Sequence, residues 1–135
     1  MGIMKDYISL ICTIDDSVLG EVLFVYTINK VYVETVLGAS TDNEGMDTSN
    51  NTLAIIPFNA ETADEYISPK KWERLSKSAK ENKYTFRVGD IILVNDTPVN
   101  CKSVDEIKQK YDNVYTIQAI KTFDKINPHF ELTCR

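Results

Sequence analysis

The sequence lacks the residue patterns on which most enzyme active sites and metal sites depend. It contains a single histidine, His129, so a multi-histidine metal site is excluded and a catalytic triad would depend on that one residue. The motifs G-x-S-x-G, H-E-x-x-H and C-x-x-C do not occur, and the five glycines form no P-loop or dinucleotide-binding fingerprint. The sequence therefore predicts a protein that is not an enzyme and that uses no cofactor and no metal.

Cysteine is also scarce, and its spacing is uninformative for a binding site. Cys12, Cys101 and Cys134 are odd in number and lie far apart in the chain. This pattern fits neither a disulfide framework nor a zinc site. We expect three free thiols that are buried or half-buried.

Long apolar runs and N-terminal targeting signals are missing as well. The longest apolar run covers residues 22–28, far short of the roughly 20 residues that a membrane-spanning helix needs. The N-terminus lacks the charged and then apolar layout of a signal peptide. These absences favour a protein that is made in the cytosol and does not enter a membrane.

Charge is distributed unevenly along the chain, whose net charge is −5. Residues 1–68 contain eleven acidic and two basic side chains, whereas residues 69–83 contain six basic and two acidic ones. Residues 84–135 contain seven of each sign. The overall acidity disfavours wrapping of DNA, because affinity there comes mainly from neutralised phosphates. The separation of charge favours contact with further copies of the chain or with another charged protein.

The apolar pattern predicts an antiparallel sheet. Strands are predicted at residues 6–14, 21–37, 53–58, 84–88, 91–94, 114–120 and 129–135. Two sets of residues share a face by alternation, namely Tyr115, Ile117 and Ala119 in one strand and Phe130, Leu132 and Cys134 in the other. The tract 21–37 is too long for one flat strand, so we expect a bend or bulge at Asn29-Lys30. Gly89-Asp90 is predicted to form a turn with an Asx hydrogen bond.

Two segments have the pattern of short helices. Ser68 and Pro69 are typical of a helix start, and Trp72, Leu75 and Ala79 give one apolar stripe over about residues 69–81. We interpret Trp72 as a core residue. A capping box that begins at Ser103 predicts a second helix over about residues 103–111. The residues together indicate one mainly β domain over 1–135, with a half-buried antiparallel sheet and one or two short helices.

Two stretches are candidate sites. Residues 38–52 form the most polar part of the chain, and such a loop between strong strand signals is either functional or a mobile surface loop. The basic helix offers contact residues for a partner or subunit: Lys70, Lys71, Arg74, Lys77 and Lys80. Aromatic residues for base stacking are not interleaved with these lysines. A solvated face, or contact with an acidic protein surface, is therefore favoured over nucleic-acid binding.

The chain resembles the head–tail joining proteins of tailed bacteriophages, called head-closure or stopper proteins, and the related minor capsid proteins of Gram-positive phages. The resemblance runs from about residue 6 to the C-terminus. It is carried by DYISLICTI, a tract that ends in VYVETV, LAIIPF, the Gly-Asp turn in FRVGDIILV, and the closing pair YTIQAI and HFELTCR. The segment with Tyr66, Pro69 and Trp72 is similar to the minor capsid subgroup, whereas the two helices exceed the most compact barrels of the family.

The resemblance implies an SH3-like β-barrel that forms a ring, of six copies rather than twelve, at the head–tail interface of the virion. The portal or adaptor would lie on one side and the tail terminator or tail tube on the other. The chain would be made in the host cytoplasm and would approach packaged DNA without reading its sequence. A loop that enters the channel corresponds here to residues 38–52, and its plug residues would be Thr41, Asp42, Asn43, Glu44, Gly45, Met46 and Asp47.

Two alternatives remain at this point. The chain could be another neck or tail ring component, such as a tail terminator. It could also be a phage-encoded accessory module that binds a host protein through the basic helix.

Overall fold

The structure, a computed structural model, describes residues 4–36 and 51–135. Over this part of the chain the strands are β1 (Asp6–Asp16), β2 (Gly20–Val36), β3 (Asn51–Pro57), β4 (Glu65–Tyr66), β5 (Lys83–Tyr84), β6 (Ile91–Val94), β7 (Val114–Phe123) and β8 (His129–Cys134). The helices are α1 (Pro69–Glu73), α2 (Lys77–Lys80) and α3 (Val104–Lys110). The prediction of a mainly β, antiparallel fold with short helices is confirmed.

Six strands close into an antiparallel barrel in the order β1, β2, β3, β8, β7, β6, and β6 pairs with β1. β2 takes part in two pairings: its first half pairs with β1, and residues 32–36 pair with β3. The predicted irregularity at Asn29-Lys30 is confirmed at the changeover. Tyr7 lies opposite Asn29 and Asp6 lies opposite Val31, so Lys30 has no partner in β1. Lys30 adopts a φ of 63°, which bends the strand into its second pairing.

A second irregularity lies in β7, and because of it the predicted shared face of Tyr115, Ile117 and Ala119 is wrong at Ala119. Ile117 lies opposite Cys134 and Ala119 lies opposite Thr133, so Gln118 is the extra residue. A bulge reverses the alternation beyond it. Ala119 is consequently exposed, and Ile120 packs against the core instead. The predicted face of Phe130, Leu132 and Cys134 in β8, by contrast, is confirmed as buried.

The barrel has an inner core and a smaller outer cluster, and β1 serves both. Its residues Ile8, Leu10 and Cys12 lie in the inner core. Ile11 points to the outer side, where it packs with Ile91, Leu93 and Ile107 of α3. The predicted α3 is therefore confirmed, and it covers the outer face of β1 and β6. Its Ser103 hydroxyl accepts the N–H of Glu106 at 3.1 Å, as the capping box predicts, although the Glu106 carboxylate accepts the N–H of Lys102 instead of Ser103.

The predicted helix over 69–81 is wrong in one respect, because two helices occupy this range. The Ser76 hydroxyl accepts the N–H of Ala79 at 3.2 Å and starts α2. A serine inside a helical pattern favours such a cap over continuation of the helix. Ser68 occupies the predicted N-cap position of α1 but makes no side-chain cap hydrogen bond.

Other boundaries also differ from the prediction. The predicted strand 84–88 is wrong beyond its first residue, because β5 ends at Tyr84 and residues 85–88 are not a strand. Of the predicted polar loop 38–52, residues 38–50 lie outside the described residues, and Asn51 and Thr52 already belong to β3.

The bulge at Lys30 gives a test of the fold. Lys30→Val places a β-branched residue at positive φ and should lower the free energy of unfolding by about 1–2 kcal/mol. Lys30→Asn is the matched control, because asparagine tolerates this conformation and removes the same exposed charge. Urea unfolding should find Lys30→Asn within about 0.5 kcal/mol of the parent. Equal stability of the two variants would contradict the assigned bulge.

Candidate functional site

The connection between β3 and β6 covers the end of the barrel near the β1–β2 turn. It contains β4, α1, α2 and β5, and it contributes Trp72, Tyr84 and Phe86 to the inner core. Trp72 meets Phe24 of β2 edge-on, with ring centroids 5.9 Å apart. The connection is therefore part of the core, and it positions every basic residue that the sequence singled out.

Trp72 is fully buried, which confirms its interpretation as a core residue. Its indole N–H donates to the carbonyl of Lys83 at 2.9 Å and lies 3.2 Å from the hydroxyl of Tyr26. The Tyr26 hydroxyl in turn donates to the carbonyl of Lys80 at 2.5 Å. Burial raises the pKa of Tyr26, so the hydroxyl stays protonated and acts as this donor. One tryptophan and one tyrosine thus bind the connection to β2.

Arg87 forms the second attachment of the connection. Its guanidinium donates to both carboxylate oxygens of Asp90, from Nε at 2.8 Å and from Nη2 at 3.1 Å. Nη2 also donates to the carbonyl of Thr13 in β1 at 2.6 Å. The guanidinium carbon lies 4.5 Å from the centroid of the Trp72 ring. The Gly-Asp turn is therefore held by an ion pair, and the predicted Asx hydrogen bond of Asp90 is replaced by it.

The electrostatics of this group indicate a structural role. Burial lowers the pKa of Arg87, but the hydrogen bonds and the charge of Asp90 outweigh burial and raise it. Burial and the nearby Asp90 raise the pKa of the Cys12 thiol, which disfavours a reactive thiolate. Cys12 and Cys134 are free and buried, and Cys101 is free and half-buried, as predicted.

The five predicted contact residues fall into three groups. Lys70, Lys71 and Arg74 are exposed, and no ion pair involves them within the part of the chain that the structure describes. Lys77 is exposed but bound to the carboxylate of Asp16 in β1. Of the five predicted contact residues, Lys70, Lys71 and Arg74 thus remain available to a partner.

Lys80 is wrong as a contact residue. It is buried, and its ammonium donates to the carbonyl of Leu75 and lies 4.8 Å from the centroid of the Trp72 ring. Burial and the neighbouring Arg87 lower its pKa. The error lies in the predicted face, because Lys80 follows Trp72 by eight residues and this spacing returns to the apolar side of a helix.

The predicted plug residues, 41–47, lie outside the described residues. The strands on either side are described: β2 ends at Val36 directly opposite Asn51, the first residue of β3. The predicted plug segment precedes β3, and the connection between β3 and β6 follows it. The two segments are therefore attached at opposite ends of β3.

Sequence reasoning missed Arg87 and Asp90. The available signal was an arginine three residues before an aspartate across a glycine turn, where Gly89 has a φ of 101°. An exposed ion pair at that spacing contributes little to stability. The burial that strengthens this pair depends on Trp72, which is remote in sequence.

The fold and the contact surface define a closed β-barrel protein with a basic outer patch. Among the described residues no helix is long and apolar enough to span a membrane, and no group of three or more potential metal ligands occurs. The chain belongs to DUF6751, a family of unknown function whose model matches residues 8–135. No curated protein and no solved structure matches the chain.

The ion pair of Arg87 and Asp90 gives a test of the site's construction. Arg87→Met keeps apolar contact with Trp72 but leaves a buried carboxylate without its partner, and should lower the free energy of unfolding by about 3 kcal/mol. Asp90→Asn should also destabilise, and the double variant should lose about 1–3 kcal/mol less than the sum of the two. Arg74→Met, which removes an exposed arginine, is the control. Additive losses in denaturant unfolding would refute the coupling.

Asp16 gives a test of pH dependence. The Lys77 ammonium and the N–H groups of Leu19 and Val18 lower the pKa of Asp16 to about 2. Because its pKa is lower in the folded chain than in the unfolded one, these contacts stabilise at neutral pH and are lost as the pH falls toward 2. Lys77→Met should raise this pKa in an NMR carboxyl titration, whereas Lys71→Met should leave it unchanged. An unchanged pKa in Lys77→Met would show that the ion pair does not form.

Proposed function

We propose that this protein is a structural component of the neck of a tailed bacteriophage, where a ring of copies closes the DNA-filled head and joins it to the tail. The observation that carries the proposal is the pairing of Val36 with Asn51 at one end of the barrel. This pairing gives both attachment points of the segment that, by the resemblance, would correspond to the channel loop of head-closure proteins. The small antiparallel barrel with short helices supports the resemblance that suggested this role.

The composition of the attached segment suits a plug. Residues 37–50 contain Asp42, Glu44 and Asp47 and no lysine or arginine. Several copies around one axis would repel DNA phosphates and each other, so the segment would obstruct DNA without binding it. Movement of these loops would then allow ejection.

The exposed charges suit assembly with other proteins. Lys70, Lys71 and Arg74 carry no ion pair among the described residues, so they remain available to an acidic surface. The acidic residues 1–68 of a neighbouring copy would provide one, and this charge pairing would set the register of the ring. Portal or adaptor subunits would lie on the head side and the tail terminator or tail tube on the other side, with six copies in the ring.

The same three charges support a second candidate, an accessory module that binds an acidic host protein. The two candidates differ in where the chain is found. A neck protein is present in purified virions in a fixed ratio to the portal, whereas an accessory module is absent from virions and co-purifies with one host protein.

Deletion of residues 42–50 tests the plug. The remaining residues 37–41 can connect Val36 to Asn51, since five residues suffice for a hairpin loop. We expect heads that assemble and fill but lose DNA, measured as the ratio of filled to empty particles in electron micrographs. Full retention of DNA in particles that contain the shortened chain would contradict the plug.

A charge-neutral variant separates length from charge. Asp42→Asn, Glu44→Gln and Asp47→Asn keep the length of the segment and remove its repulsion. DNA retention should persist in this variant while ejection slows, because neutral loops no longer repel the phosphates. Loss of DNA equal to that of the deletion would show that charge, and not obstruction, retains the DNA.

A further inference from the structure

The outer face of β3 and β8 carries an apolar groove with a volume of about 810 Å³. Its lining includes Tyr32, Ile55, Pro57, Phe58 and Pro128. Phe58 remains 48% exposed even though its ring packs 4.9 Å from that of Phe130. The groove thus offers apolar surface that is held in place by the core beneath it.

The two outer faces of the barrel differ in their cover. On the face of β1 and β6, Ile11, Ile91 and Leu93 are buried under Ile107 of α3. None of the residues that line the groove belongs to a helix within the part of the chain that the structure describes. Exposed apolar surface of this kind is typical of a protein contact site.

The same chain presents an apolar projection at the turn between β1 and β2. Val18 is 86% exposed and Leu19 is 67% exposed. One carboxylate oxygen of Asp16 accepts the N–H of Val18 and that of Leu19, each at 2.8 Å, and the other oxygen binds Lys77 of α2. The projection is therefore held in one conformation before any contact, which lowers the entropy cost of binding.

We propose that the Val18-Leu19 turn of one copy binds in the β3–β8 groove of the next copy. Exposed Asp15 and Glu21 flank the turn and form no ion pair among the described residues. Exposed Lys5 and Lys125 lie within two residues of groove-lining Met4 and Asn127, and neither is paired within the described ranges. Glu131, the carboxylate of the groove itself, is bound to His129 at 3.1 Å. Two exposed acids oppose this match, namely Asp124 and Glu34, whose carboxylate accepts the hydroxyl of groove-lining Tyr32 at 3.1 Å.

A contact between two different surfaces of the same chain is heterologous, and it closes into a ring when the rotation permits. Two side chains bury too little area for a stable pair, so the contact gains its strength from closure of the ring. The inference rests on the proposed function for its setting, because it names the subunit contact of the proposed ring.

Disulfide trapping of the full-length chain tests the contact. Two separate variants are made in a Cys101→Ser background: one carries Leu19→Cys, and the other carries Asn59→Cys at an exposed residue that lines the groove. The two variants are mixed in equal amounts and oxidised with oxidised glutathione. One variant is isotopically labelled, so intact mass spectrometry distinguishes the mixed disulfide dimer from the two homodimers. We expect the mixed dimer to exceed several-fold the two homodimers together. Addition of Val18→Ser to the Leu19→Cys chain should reduce this excess.

The control uses Val88→Cys in place of Leu19→Cys, because Val88 is an equally exposed apolar residue on another turn. It should pair with Asn59→Cys no more often than chance. A chance distribution for Leu19→Cys, or a dominant Asn59→Cys homodimer, would overturn the proposed contact. The neck role is tested separately by the presence of the chain in virions, so either idea can fail while the other stands.

Discussion

The ion pair between Arg87 and Asp90 is the interaction on which the closed barrel depends. The Arg87 guanidinium donates to the carbonyl of Thr13 in β1 and lies over the ring of Trp72, and Asp90 directly precedes β6. The backbone N–H of Gly89 donates to Ile117, and Ile117 donates back to Asp90. Arg87, Asp90 and the backbone contacts of Gly89 with Ile117 therefore align β6 between β1 and β7, which is the pairing that closes the sheet.

The attachment through Arg87 and Asp90 distinguishes the residues that hold the fold together from those that remain available for function. The connection 58–90 contributes buried aromatic residues, and its polar groups are used in binding β1 and β2. The carboxylate of Asp16 extends the arrangement, since it orders the β1–β2 turn and binds Lys77 of α2 at the same time. The proposed functions consequently use the outer surfaces and the segment that begins after Val36. Among the residues with positive φ, Lys30 occurs where β2 changes its pairing partner, and Gly89 occurs in the turn before β6.

The sequence predicted the features that depend on local pattern and missed those that depend on distant contacts. The strand of Phe130, Leu132 and Cys134 alternates without interruption, and its buried face was correct. The bulge at Gln118 has no local signal, because it is set by the register of β7 against β8. Among the predicted contact residues, Lys70, Lys71 and Arg74 are exposed, as the sequence predicted. Burial of Lys80 depends on the carbonyl of Leu75 and the ring of Trp72, which accommodate its ammonium, and the sequence pattern does not show these contacts.

The barrel also decides how copies can associate. Residues 32–36 of β2 extend beyond the start of β1 and would present an unpaired strand edge. The carboxylate of Asp6 accepts the N–H of Val33 at 3.0 Å and occupies that edge. A carboxylate placed there disfavours pairing with a strand of another molecule, as charged groups do on the edges of many natural sheets. The proposed association would then use side-chain surfaces, and the described residues offer the Val18-Leu19 turn, the groove beside Phe58 and the basic patch of α1 for this purpose.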